Sequence, residues 1–149
     1  MRKNLGKERI LFLVMPYGPI LTPALGVSIL NQKLLNEGFD VQTIYSNFEF
    51  AELITPTIYL NIYESPAAKL FGEWTFAEYL YKDNDYYNLN GLYKTFFSGT
   101  NQDMIEKLLL AKSHVDGYLS SLLNKIKNYK PSIVICSSMF QQNLASLSI

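Results

Sequence analysis

Near the start of the chain an unbroken apolar run, Arg9 to Met15 (RILFLVM), is bounded by charge on one side and by Pro16, Gly18 and Pro19 on the other. A strand with one wet face alternates apolar and polar residues. This run does not alternate, so it predicts a strand buried on both faces, as in a parallel sheet covered by helices. Thr22 can cap a helix whose first residue is Pro23, and Val27, Leu30 and Leu34 recur at helical spacing before Gly38 stops it. The helix is therefore expected from about Pro23 to Glu37. Val41, Thr43 and Tyr45 then alternate with Gln42 and Ile44, giving a second strand over Asp40 to Tyr45. Strand, helix and strand in this order make a βαβ unit with a right-handed crossover.

A third apolar run, Ser132 to Ser137 (SIVICS), follows Pro131 and leads through SMFQQN into the opening of a last helix, Leu144 to Ile149. Two crossovers of helical length between three such runs predict a parallel α/β sheet in the order 2-1-3. The second crossover is unusual. Between Tyr45 and Phe97 lie 15 of the 21 aromatic residues. Such a segment is too long for a plain connection, so residues 47–100 read as a helical insertion. Phe48 to Ile54 and Pro66 to Tyr81 are its expected helices, with Asp83 to Asn90 as loop. Thr100 followed by Asp103 is a capping signature, and Ile105, Leu108, Ala111, Val115, Leu119, Leu122 and Ile126 keep the helical period to about Asn128. One long helix carrying His114 is expected there, bent near Asp116 because Gly117 sits inside it.

At 149 residues the chain suits one domain, over residues 9–149 behind a basic leader of residues 1–8. A doubly wound sheet needs about five strands, so three read as the front of a longer protein. In the order 2-1-3 the third strand is an open apolar edge through which the chain can self-associate. Thirteen basic and thirteen acidic residues argue against a nucleic-acid binder that neutralises phosphates. No run reaches the roughly 20 residues that span a bilayer, and a single cysteine fits a reducing cytoplasm. Cys136 and His114, each alone of its kind, cannot build a multi-ligand metal site, and no catalytic or metal-ligating residue is assigned.

In open parallel sheets a ligand lies beyond the carboxyl ends of the strands, where the strand order reverses. Two loops leave those ends here. The first contributes Pro16, Tyr17, Gly18, Pro19 and Thr22; the second contributes Ser137, Ser138, Met139, Phe140, Gln141, Gln142 and Asn143. They read either as a ligand site or as an ordinary turn and helix cap. Neither is a phosphate motif, since GxGxxG and the Walker lysine are both missing. In GEWTF, Glu73, Trp74 and Phe76 could line a cleft or dock a peptide, or belong to a half-buried amphipathic helix.

Taken in order, MPYGPILTPALGVSILNQKLLNEGFDV, GEWTF and IVICSSMFQQNLASL resemble the N-terminal cobalamin-binding-type domain of radical S-adenosylmethionine enzymes, in the subgroup that matures ribosomally made peptides. The resemblance implies an incomplete Rossmann-like domain of flavodoxin-like order 2-1-3, whose two loops face a corrin ring. It also implies a precursor peptide as partner. S-adenosylmethionine and an iron–sulfur cluster would belong to a radical core outside this chain, which has no CxxxCxxC. The DxHxxG of histidine-ligated cobalamin domains is missing as well, so no histidine ligand to cobalt is expected. The alternative is a non-catalytic α/β module for peptide or protein interaction, with a vestigial corrin pocket.

Overall fold

The computed structural model describes residues 8–81 and 97–149. Residues 1–7 of the expected leader and the expected loop at Asp83 to Asn90 lie outside them. Strand β1 (Arg9–Leu13) is the middle of a three-stranded parallel sheet, with β2 (Asp40–Ile44) on one side and β3 (Ile133–Cys136) on the other. This is the expected order. Its apolar run is buried on both faces, as the missing alternation requires. Leu11, Leu13 and Met15 join the main core, whereas Ile10, Phe12 and Val14 are buried outside that cluster. At the other end of the sheet Arg9 pairs with Asp40 at 3.2 Å and lies over the Tyr129 ring.

Helix α1 (Leu25–Asn36) connects β1 to β2 and packs on β2, to which Asn31 Nδ2 donates at Thr43 Oγ1 over 2.8 Å. It starts later than expected. Its N-cap is Ala24, without a side-chain cap, so Thr22 does not cap it and Pro23 precedes it. Gly38 takes φ +93°, the left-handed conformation that ends such a helix most easily. None of the residues of α1 is fully buried, and Leu25, Ile29, Leu30 and Leu35 are exposed.

The long second crossover is helical, as expected, but divided differently. Among the described residues its helices are α2 (Ser46–Ile54), α3 (Pro56–Tyr63), a 3-10 turn (Ala67–Lys69), α4 (Phe71–Tyr81), α5 (Gln102–Ser113) and α6 (Val115–Tyr129). Helix α3 was not expected, and the expected Pro66 to Tyr81 helix is a 3-10 turn followed by α4. The single long helix is two. Asn101, not Thr100, caps α5 by accepting from the Met104 N–H at 2.9 Å, and His114 stands between the helices. Ser113 Oγ donates to the Leu110 carbonyl at 2.7 Å and His114 Nδ1 lies 2.9 Å from the same oxygen. Side chains thus meet a carbonyl that an unbroken helix would give to its own backbone. The core, rich in Tyr17, Phe50, Tyr59, Phe76 and Tyr118, gathers on the β1 face that carries Leu11 and Leu13. Helix α7 (Asn143–Leu147) follows β3 and packs on α4. Among the described residues no helix is long and apolar enough to cross a membrane.

Candidate functional site

The two expected loops leave adjacent parallel strands at the same end of the sheet and are bonded to each other. The Met15 N–H donates to Ser137 Oγ at 3.0 Å. Gln142 Nε2 donates to the Met15 carbonyl and, at 3.2 Å, to Ser137 Oγ, while its Oε1 accepts from the Met139 N–H at 2.9 Å. These groups lie at the switch point, and they spend their hydrogen bonds on one another. Gly18 explains how closely the loops meet, because a Cβ there would fall 2.7 Å from Gln142 Nε2 and 3.0 Å from the Met15 carbonyl.

GEWTF comes to the same place. Glu73 Oε1 accepts from Asn143 N–H at 3.1 Å and from Asn143 Nδ2 at 2.9 Å, and Oε2 accepts from Leu144 N–H at 2.7 Å. A carboxylate at the start of α7 satisfies amides that have no partner within the helix. Gly72 N–H donates to Gln141 Oε1 at 2.7 Å, and Gln141 Nε2 reaches the Tyr63 carbonyl at 3.4 Å. Ser138 Oγ donates to Asn143 Oδ1 at 2.5 Å. The three motifs therefore form one clasp. Trp74 and Phe76 are buried: Trp74 packs edge-on to Phe97 at 5.0 Å with Lys112 above its ring, and Phe76 joins Tyr17 and Phe50. They support the site from below and present no surface to a partner.

Of the first loop, Pro16, Tyr17 and Gly18 are buried and Pro19 is half-buried. Tyr17 donates to Thr75 Oγ1 at 3.2 Å, since the Thr75 hydroxyl itself donates to the Phe71 carbonyl. Tyr59 OH donates to the Gly18 carbonyl at 2.6 Å, and Asn47 Nδ2 to that of Pro19 at 3.0 Å. Sequence reasoning missed Tyr59, Thr75 and Asn47. Thr55 before Pro56, a cap ahead of a first-turn proline, was the available signal for the helix that carries Tyr59. Burial pushes the hydroxyls of Tyr17 and Tyr59 above the ordinary tyrosine range, which keeps both as neutral donors.

The large side chains that the two loops expose are apolar. Leu21 is 75% exposed, Met139 68% and Phe140 61%, with Thr22 and Ser138 exposed beside them. A shallow pocket of about 270 Å³ opens between Pro19–Ala24 and the rings of Tyr45 and Phe48. His114 lies elsewhere, in a groove lined by Glu49, Glu52 and Lys125 on α2 and α6. Among the described residues no three His, Cys, Asp or Glu side chains are grouped to hold a metal ion. Burial raises the Cys136 thiol above its ordinary pKa, which disfavours the nucleophilic thiolate. No protein-family model matches the chain, and neither a curated protein nor a solved structure matches it.

Proposed function

We propose that the chain is a Rossmann-like domain of cobalamin-binding type from a cytoplasmic, peptide-modifying radical S-adenosylmethionine enzyme, with no catalytic cluster of its own. One observation carries the reading: Leu21, Met139 and Phe140 stand exposed on the two loops at the switch point, above polar groups already bonded to one another. A broad ring with a largely apolar face can rest on exposed apolar side chains of the two loops. Thr22 and Ser138 are exposed polar groups on the same two loops, and Ser138 Oγ, which gives its hydrogen to Asn143, can still accept from the ring's amide rim. The only histidine lies in the α2–α6 groove, so this chain brings no imidazole to the metal. Bound cobalamin supplies alkyl-transfer chemistry. The chain's share is to seat the ring and keep water from one of its faces. The precursor peptide, S-adenosylmethionine and the iron–sulfur cluster fall to a radical core, because Cys136 alone cannot ligate a cluster.

A second reading is the interaction module with a vestigial pocket. It is favoured by the internal engagement of Gln141, Gln142 and Asn143, and by the pocket beside Tyr45 and Phe48, which suits an apolar side chain of a peptide. Titration with hydroxocobalamin, followed by corrin absorbance, separates the two. The cobalamin reading expects weak, saturable binding that Leu21→Asp with Phe140→Asp lowers by about tenfold or more, since carboxylates under an apolar face lose hydration. No spectral change, or equal affinity in a folded variant, selects the module.

A further inference from the structure

We propose that β3 pairs with the β3 of a second copy of this chain, antiparallel about a two-fold axis through Val134. Among the described residues β3 is bonded to β1 on one side and to no strand on the other. Ile133, Val134 and Ile135 are 46%, 39% and 37% exposed. The strand has no charge and no proline within it, so it lacks the usual devices that blunt an edge.

The symmetry of the segment identifies the occupant. Ser137 N–H donates to the Leu13 carbonyl, so by strand alternation the backbone of Ile135 faces β1 and that of Val134 and Cys136 faces outward. Register with β1 sets Ile133 and Ile135 on the face of Ile10 and Phe12, and Val134 on the face of Leu11. A two-fold axis perpendicular to the sheet at Val134 preserves both faces. It sets the outward N–H and C=O of Val134 against those of the second copy's Val134. Each Ile133 then falls opposite the second copy's Ile135, a β-branched pair of the kind that stabilises sheets. The sequence reads Ile-Val-Ile in both directions, so neither copy must adapt. Charge agrees, because Lys130 would lie opposite Ser138, no charged residue occurs from Pro131 to Ile149, and the chain has no net charge to repel its copy.

Sedimentation equilibrium of the full chain is expected to show the mass rising with concentration to twice 17.1 kDa. A single 17.1 kDa species throughout would overturn the proposal. Ile133→Lys with Ile135→Lys opposes like charges and should weaken association by at least about tenfold, whereas Ile133→Lys with Ile135→Glu opposes unlike charges and should retain it. Equal behaviour of the two variants, with circular dichroism showing both folded, contradicts this register. Amide exchange of the unaltered chain is independent of any folding defect. Val134 and Cys136 should exchange more slowly where the mass doubles, and unchanged exchange at both would put the interface elsewhere.

Discussion

Gly72 sits where Tyr17, Gln141 and α4 meet. A Cβ there would come within 2.7 Å of Tyr17 Cδ2 and 2.8 Å of Gln141 Cβ, both in buried residues with no room to move. Gly72→Ala is expected to cost about 1–3 kcal/mol of stability, read by urea denaturation, as overpacking does in closed cores. Glu73→Gln tests the neighbouring residue differently. It preserves shape but removes the charge and sets an NH2 donor against an N–H in place of one acceptor oxygen, and about 1–2 kcal/mol should be lost in the same measurement. The interest of GEWTF was legible in its composition. Its role was not, because Glu73 acts on amides 70 and 71 positions away and nothing local to either segment records that meeting. Gln141 and Gln142 likewise read as groups open to a ligand, and the fold turns both inward.

The same dipeptide meant different things in two elements. Thr22–Pro23 precedes a helix that starts only at Leu25 without a side-chain cap, whereas Thr55–Pro56 is a true start, with Thr55 Oγ1 accepting from Ile58 N–H at 3.5 Å. Local chemistry permits a helix at both places, and only packing on the core selects the second. The three strands were legible to within a residue or two, β1 and β3 because an apolar run has few alternatives and β2 because its β-branched and aromatic residues alternate. The break at His114 was hidden for a similar reason. Leu108, Ala111, Val115, Leu119 and Leu122 all face the core, so the hydrophobic period runs through the interruption. Gly117 lies in α6 beyond that break, and a Cβ there meets nothing within 4 Å. Gly117→Ala should therefore raise stability by about 0.5–1 kcal/mol, seen as a higher urea midpoint with an unchanged slope.

Three buried tyrosines give the whole molecule a particular response to alkali. Burial, the main cause in each case, raises the hydroxyls of Tyr17, Tyr59 and Tyr118 above their ordinary value of 10.0. The folded chain thus holds protons that the unfolded chain has released, and by linkage stability falls as pH rises. Their contribution is complete below pH 10 and lost progressively above it, so denaturation midpoints should drop steeply from about pH 10 to 12. Tyrosinate absorbance from these three should appear together with unfolding. A gradual titration of all tyrosines in a still-folded chain would contradict their burial.

The hydrogen bond from Gln142 to the Met15 carbonyl joins residues 127 positions apart, and β1 finds β3 across nearly the same separation. On the ribosome, β1 emerges long before the β3 strand with which it pairs. Until β3 follows, one of its edges has no native partner, a period in which an apolar strand is open to wrong pairing. Nascent chains stalled before Lys130 should therefore be digested readily by protease within the first strand. In chains stalled on a C-terminal extension that fills the exit tunnel, resistance should arrive abruptly once Leu144 is outside it, because the clasp that closes over Met15 is completed only then.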